Sequence, residues 1–190
     1  MLKQVLLIIL TCIFFEVGAQ DINKFSLSGI NESIAFPFTR FAPIHPGAEI
    51  GYVLKEKDKS RLIRSHSVYV GWYYHTKVQN AFYLRAETAW LFKVRQIATL
   101  DLFTGLGYMH TLYPGDIYEL NSSGDFEEIN QIGKPRALGT IGFGFTLKNN
   151  YLLEPFIRQE IGLETPFANG LPVMIHSFLK VGTYIKISKS

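Results

Sequence analysis

The sequence predicts an all-β fold: a closed antiparallel up-and-down transmembrane β-barrel of about eight strands. Three observations predict it. Apolar and polar residues alternate with period two over long segments, these segments exceed ordinary strands in length, and short turns alternate with long loops. Beyond its first residues, the chain shows no convincing recurrence of apolar residues at helical spacing.

The N-terminus has the features of a secretory signal peptide. Lys3 precedes an apolar run over residues 5–15, and small residues end at Ala19. A run of this length is too short for a spanning helix, which needs about 20 apolar residues. We predict cleavage after Ala19, which makes residues 1–19 a signal peptide and residues 20–190 a single outer-membrane β-barrel domain.

Cysteine content and charge exclude several classes of protein. The single cysteine, Cys12, lies inside the predicted signal peptide, so the mature chain cannot rely on disulfides for stability. The net charge is +3, and Lys and Arg are scattered along the chain. A nucleic-acid-binding protein needs a basic patch or stripe, so nucleic acid is not expected as a partner. No motif with cofactor chemistry is present, and we expect no cofactor.

Seven segments have clear period-two alternation and are predicted as strands. They lie at residues 47–56, 65–76, 81–93, 97–110, 136–148, 151–164 and 174–188. Single-chain bacterial barrels have an even number of strands and both termini inside, so a weaker segment at 24–35 is predicted as the eighth. This count places the connections near 57–64, 93–96 and 149–150 in the periplasm. The long loops at 111–135 and 165–172 then lie outside, with a short outer connection at 77–80.

Each predicted strand has two faces of different chemistry. One face is apolar and carries aromatic residues near both strand ends, among them Trp72 and Trp90. The other face collects glycines and the ionisable residues Glu49, His75, Arg85, Glu87, Asp101, Glu154, Arg158, Glu160, His176 and Lys180. A soluble barrel that carries a ligand would place the apolar face inside.

Three features favour the opposite arrangement, in which the apolar face contacts lipid. Aromatic residues near the strand ends match the interfacial girdles of membrane barrels. Glycines among the charged residues make room for large side chains in a narrow lumen. Strands of about 12 or 13 residues are long enough to span a bilayer when tilted. We therefore predict that the ionisable residues form a salt-bridged network that fills the lumen without a conducting pore. Pro155 lies inside a predicted strand, where it indicates a β-bulge.

Several segments resemble known bacterial proteins. The last strand, residues 180–187, resembles the terminal signal of outer-membrane barrels, although the chain ends in Ser188-Lys189-Ser190 instead of an aromatic residue. Four further segments, 39–49, 71–75, 105–110 and 165–172, resemble a group of small bacterial outer-membrane β-barrel proteins of unassigned function. The resemblance implies this fold, a location in the outer membrane of a Gram-negative bacterium and contact with the barrel-insertion machinery. It implies no activity.

The sequence favours a non-enzymatic structural or accessory envelope protein, associated with outer-membrane lipid and another envelope protein, such as a transport complex. One alternative is a hydrolase that modifies lipid A or phospholipid. It rests on Ser65-His66-Ser67 and His176-Ser177, with Glu154 or Glu160 as the orienting acid. Small outer-membrane barrels that deacylate lipid A use a Ser and His pair, but the surrounding pattern is absent here. The other alternative is a soluble periplasmic ligand carrier.

Two further features of the sequence bear on binding sites. His45, His75 and His110 show no close ligand spacing in the sequence, so no metal site is predicted from them. The loop at 111–135 is acidic, with Asp116, Glu119, Asp125, Glu127 and Glu128 against Lys134. A loop of this length is uncommon without a role or disorder. We expect a solvated lid, with a surface for a partner or divalent cation as the alternative.

Overall fold

The fold was obtained as a computed structural model that describes residues 23–76, 78–94, 97–112, 117–120, 123–129, 133–148, 152–167 and 170–187. The predicted signal peptide at 1–19, the turn at 149–150 and the last three residues lie outside the described residues. No helix in the described ranges is long and apolar enough to cross a membrane.

Eight long strands form a closed antiparallel barrel, as predicted. They are β1 (Asn23–Ser33), β2 (Pro46–Asp58), β3 (Leu62–His75), β4 (Gln79–Val94), β5 (Ala98–Leu112), β8 (Lys134–Leu147), β9 (Leu153–Thr165) and β10 (Met174–Ile187). Each strand pairs with the next one around the barrel, and β10 pairs with β1 to close it. The weakest predicted strand, at 24–35, is therefore the strand that joins the two ends of the sheet.

The long loop between β5 and β8 contains a two-stranded hairpin that the sequence analysis did not predict. Its strands are β6 (Ile117–Leu120) and β7 (Phe126–Ile129), which pair only with each other. The hairpin lies at the end of the barrel opposite the start of β1 and the end of β10. In outer-membrane barrels this is the outer end, because the termini and the short turns are periplasmic.

The predicted β-bulge at Pro155 is wrong, because the register between β9 and β10 is continuous there. The amide of Lys186 donates to the carbonyl of Leu152, which places that carbonyl on the β10 side. Alternate residues direct their backbone groups to opposite neighbours, so Pro155 faces β8. The pairing of β9 with β8 does not reach Pro155, because its last pair joins Thr146 to Phe156. The missing N–H of Pro155 therefore removes no bond from that ladder. The register shift that does occur lies in β2, between Val53 and Lys55.

The two faces of each strand point as predicted. Apolar side chains cover the outside of the barrel, with Leu106 65% and Val70 60% exposed. The ten ionisable residues of the polar face point inward, and all are buried. Trp72 and Phe82 lie near the outer rim, while Trp90 lies near the periplasmic rim. A soluble ligand carrier would have these apolar side chains in its core. Here they lie on the outside of the barrel, which argues against that alternative.

Glycines make room inside the barrel. A Cβ added to Gly107 would lie 2.3 Å from the carbonyl oxygen of Leu84 and 2.6 Å from the Cβ of Arg85. At Gly71 it would lie 2.2 Å from the ring of Tyr83. Large polar and aromatic side chains therefore fit in the bore only because their neighbours have no side chain.

Candidate functional site

The bore of the barrel is the candidate site, and its middle is held together by Arg85. This guanidinium contacts Glu49 at 3.1 Å and both Glu87 and Glu160 at 3.0 Å. Lys180 bridges Glu49 at 2.8 Å and Glu160 at 2.9 Å. Strands β2, β4, β9 and β10 are thus cross-linked through side chains that are almost fully buried.

Arg158 extends this network toward the periplasm. Its Nη1 donates to Oε1 of Glu87 at 2.9 Å, and its Nη2 lies 3.8 Å from Asp101. The guanidinium also donates to the hydroxyl of Tyr184 and lies 4.7 Å from the ring centre of Phe103. Because Glu87 contacts both arginines, the middle of the bore is a single connected network. Such connection is what buried charges require, since an unpaired buried ion is costly.

The periplasmic end of the bore is closed by lysines around Glu154. The carboxylate contacts Lys24 at 2.8 Å, Lys148 at 3.1 Å and Lys186 at 2.7 Å. Lys24 also reaches Glu56 at 3.2 Å. Lys148 follows β8 in the periplasmic turn, and burial together with the charge of Lys24 lowers its pKa below the ordinary lysine value.

The outer end of the bore has different chemistry. We call the group of Glu32, His45, His75, Glu164 and His176 the histidine cluster. The carboxylate of Glu32 accepts from Nδ1 of His75 at 2.6 Å and from Nδ1 of His176 at 2.9 Å. The rings of His45 and His75 stack with their centres 3.6 Å apart. The Nε2 of His176 lies 2.9 Å from Glu164.

The up-and-down topology explains why this cluster forms. Glu32 is at the end of β1, His45 directly precedes β2, and His75 ends β3. Glu164 is near the end of β9 and His176 is near the start of β10. Alternate strands run in opposite directions, so all five positions meet at the same rim although they are far apart in sequence.

Charge in the histidine cluster depends on protons. Both ring nitrogens of His176 face carboxylate oxygens, so only the imidazolium form donates to both. Glu164 is also contacted by Arg136 at 3.2 Å and by Gln79 at 2.8 Å. Below the cluster, an apolar block of Ile30, Tyr73, Ala81, Tyr83, Met109, Leu138 and Phe178 fills the bore.

A second feature lies on the outer wall of the barrel, where residues 34–44 form what we call the wall segment. Thr39 lies against two outward-facing residues of β9 and β10: its hydroxyl is 2.9 Å from that of Ser177 and 3.1 Å from Nε2 of Gln159. Arg40 is fixed to β1, because its amide donates to the hydroxyl of Ser33. The wall segment therefore covers a polar patch on a largely apolar wall.

The apolar side chains of the wall segment face away from the barrel. Phe36 is 70% exposed, Phe38 62%, Phe41 76% and Ile44 70%. The segment begins at the outer end of β1 and runs along the wall, so these side chains lie beside the outer half of the apolar surface. The wall segment therefore makes polar contacts with the barrel and presents an apolar surface on its outer side.

The adjacent Ser and His residues do not form the pairs that a hydrolase would require. Strand alternation turns Ser65 and Ser67 into the bore and His66 onto the wall, where its Nδ1 lies 3.1 Å from the hydroxyl of Thr88. His176 points inward, and Ser177 points outward beneath the wall segment. The orienting acids proposed from the sequence, Glu154 and Glu160, bind lysines and Arg85 instead.

Other site residues were missed or separated. The sequence analysis did not select Lys24, Glu32, Arg136 or Glu164, although each continues the inward parity of its strand. His45 and His75 meet, but His110 lies at the rim with its Nδ1 2.8 Å from the hydroxyl of Tyr108. In the acidic loop, Asp125 is exposed between β6 and β7. The side chains of Asp116, Glu119, Glu127 and Glu128 lie outside the described residues.

Comparison with known proteins gives a structural answer and no sequence family. No family model matches the chain, and no curated protein matches it. Neisserial surface protein A has a similar structure, with a TM-score of 0.54 and 8% sequence identity over 87% of this chain and 96% of that one. This likeness, added to the closed eight-strand barrel with its apolar wall, decides the fold. The chain has the fold of the small outer-membrane β-barrels.

Two other solved barrels have lower TM-scores. Ail of Yersinia pestis has a TM-score of 0.48 at 9% identity, over 89% of this chain and 100% of that one. The outer membrane enzyme PagL has a TM-score of 0.49 at 11% identity, over 86% of this chain and 99% of that one. At such identities the likeness concerns the path of the backbone alone.

Proposed function

We propose that this outer-membrane barrel is a non-conducting, non-enzymatic structural or accessory component of the cell envelope. The observation that supports this most directly is the continuous filling of its bore. Lysines around Glu154 occupy the periplasmic end, arginine-centred ion pairs occupy the middle, and the apolar block and the histidine cluster occupy the outer end.

We infer from this burial that no aqueous path runs through the described part of the barrel. Side chains of Arg85 and Lys180 are 0% and 1% exposed, and Tyr73 and Met109 are fully buried above them. A passing solute would have to separate buried ion pairs, and removing one partner of such a pair typically costs about 3–5 kcal/mol. Barrels of eight strands usually have interiors that side chains just fill.

The surroundings of the barrel follow from its surface. The apolar wall and the wall segment support outer-membrane lipid as the partner of the outside. The alternating residues of β10 resemble the terminal signal that the barrel-insertion machinery recognises. Export would use the signal peptide predicted at residues 1–19. The hairpin of β6 and β7 extends beyond the rim with Phe126 75% exposed, which favours this end for contact with another envelope protein, such as a transport complex.

Conductance in a planar lipid bilayer tests the closed bore. We expect the mature protein to show no steady single-channel current. The double variant Arg85→Ala, Arg158→Ala should show current, because it removes the two guanidinium groups that cross-link the middle. Arg61→Ala is the matched control, since Arg61 is exposed near the periplasmic turn and should leave the membrane silent. A steady current through the unmodified protein would contradict the proposal.

Mass spectrometry of lipid A and phospholipid tests the non-enzymatic part. We expect the same acyl chains with and without expression of the protein. Loss or gain of an acyl chain that depends on the protein would show the hydrolase alternative to be correct.

A further inference from the structure

We propose that the outer end of the bore binds one divalent transition-metal ion, such as Zn²⁺, through Glu32, His45 and His75. One carboxylate oxygen and one ring nitrogen from each histidine lie within 4.8 Å of one another, and all three residues are buried. Two imidazoles and a carboxylate form a ligand set that suits Zn²⁺, Cu²⁺ and Ni²⁺ better than Mg²⁺ or Ca²⁺. This site goes beyond the proposed envelope role and does not depend on it.

The side chains must adjust before they can hold a tetrahedral ion, because their ligand atoms lie only within 4.8 Å of one another. Ligand atoms about 2.0–2.2 Å from a tetrahedral Zn²⁺ lie about 3.3–3.6 Å from each other. His45 and Glu32 are already neighbours, with Nδ1 of His45 3.6 Å from Oε2 of Glu32, and the ion would bind the other ring nitrogen, Nε2. The contact between His75 and Glu32 is a 2.6 Å hydrogen bond, which would open by less than an ångström when the ion replaces the proton.

His45 is held as metal-binding histidines usually are. Its Nδ1 lies 3.0 Å from the main-chain carbonyl of Glu32. A neutral ring that donates from Nδ1 carries its lone pair on Nε2, and such a backbone contact is the usual way of orienting a ligand ring.

Glu32 differs from the other buried carboxylates in its partners. Glu49, Glu87, Glu154, Glu160 and Glu164 each contact at least one Lys or Arg. Within the described ranges, the ion-pair contacts recorded for Glu32 are all to histidines. A buried carboxylate needs a positive partner, and histidines supply one only when protonated. A divalent ion would supply that charge while the histidines stay neutral.

The remaining residues of the cluster support such an ion and leave it accessible. His176 fixes the other oxygen of Glu32 and is itself held by Glu164, which gives the carboxylate a second layer of support. The side chains of His45 and His75 retain 8% and 11% exposure at the outer rim. An ion could therefore enter from outside the cell without passing the ion-paired middle of the bore.

Titration calorimetry with Zn²⁺, supported by the visible absorption of Co²⁺, tests the site. The mature chain, without a histidine tag, is folded into detergent micelles and its folding is checked by heat modifiability on a gel. We expect one ion per chain, and a loss of affinity of about 100-fold or more in Glu32→Gln, His45→Asn and His75→Asn, since even supporting residues contribute about 10–100-fold. His176→Asn removes a supporting residue and should lower the affinity for Zn²⁺ by about 10–100-fold.

The controls are the two histidines outside the cluster. His66→Asn and His110→Asn should bind Zn²⁺ like the unmodified chain, because both contact hydroxyl groups away from the bore. His45 precedes its strand, so His45→Asn remains a fair test even where a strand variant fails to fold. Absence of Zn²⁺ and Co²⁺ binding would overturn the proposal, as would full affinity in folded His45→Asn. Conductance measurements are independent of either result.

Discussion

Neighbouring residues on each strand of this barrel occupy opposite environments. On β4, Arg85 and Glu87 are buried among ion pairs, whereas Leu84 is 54% exposed on the outside. The bore is mainly polar and filled with side chains, and the wall is mainly apolar, with its side chains exposed. This is the reverse of a soluble protein, and it shows that lipid must act as the solvent of the outside, because so many exposed large apolar side chains would not remain dispersed in water.

Each side has exceptions, and one on each side shows how differently they are handled. The bore contains an apolar block at its outer end, where Tyr73 and Phe178 pack edge to face. The wall contains the polar patch of Gln159 and Ser177, which the wall segment covers through Thr39. Apolar residues inside need only contact one another. Polar residues outside need partners, because hydrocarbon offers none.

The largest effect is expected from breaking the bore. Arg85→Met leaves Glu49, Glu87 and Glu160 with one fewer cation, and we expect a loss of about 3–5 kcal/mol in the free energy of unfolding. Urea unfolding in detergent, followed by tryptophan fluorescence, measures it. Arg61→Met is exposed and should change stability by less than about 0.5 kcal/mol. Equal stability of both variants would show that the ion pairs do not hold the barrel.

A charge placed on the wall should have the next largest effect. Leu106 is near the middle of β5 and fully outward, so Leu106→Arg should cost about 2–4 kcal/mol in a lipid bilayer. Phe126→Arg is the control, because Phe126 is at least as exposed as Leu106 but belongs to the hairpin beyond the rim. If both arginines are tolerated alike during unfolding in lipid vesicles, the wall does not contact hydrocarbon.

Glycine-to-alanine substitutions compare the bore with the wall by adding one methyl group to each. Gly107→Ala introduces a Cβ 2.3 Å from a backbone oxygen in the bore, and overpacking of this kind should cost about 1–3 kcal/mol. Gly29→Ala on the wall meets nothing within 4 Å and should be neutral or slightly stabilising. The measurement is the midpoint of urea unfolding. The reverse order would contradict the assignment of faces.

The smallest effect is expected at the wall segment. Thr39→Val keeps the shape of the side chain but removes the hydroxyl that contacts Ser177 and Gln159, so we expect a loss of about 1 kcal/mol. Protease sensitivity of the segment, measured on folded protein in vesicles, should rise in the same variant. Unchanged stability and protection would mean that the polar patch does not hold the segment.

Much of the barrel was predictable because period-two alternation over a long segment indicates a β-strand with two different faces. The seven clear segments match their strands within a few residues at each end. The first strand was harder to recognise, because its outward positions Gly29, Asn31 and Ser33 interrupt the apolar face. The structure supplies the reason: Asn31 and Ser33 contact the wall segment and do not face lipid.

The histidine cluster could not be predicted from spacing. Its members come from five places in the chain, and only closure of β1 onto β10 brings Glu32 beside His176. Glu32 and Glu164 lie inside the predicted strands at 24–35 and 151–164 and have the inward parity, but the sequence analysis did not select them. The β-bulge expected at Pro155 was wrong for a related reason, since where a ladder stops depends on the neighbouring strand.

Quenching of tryptophan fluorescence by brominated lipids tests the orientation of the wall most directly. The chain has two tryptophans, Trp72 and Trp90, on the outward face near opposite rims. Both should be quenched by bromine atoms on the acyl chains, more strongly near the headgroups than at the bilayer centre. A tryptophan placed in the bore by Phe103→Trp, with the native two replaced by Phe, should not be quenched. Quenching of the bore tryptophan, with Trp72 and Trp90 protected, would contradict the account.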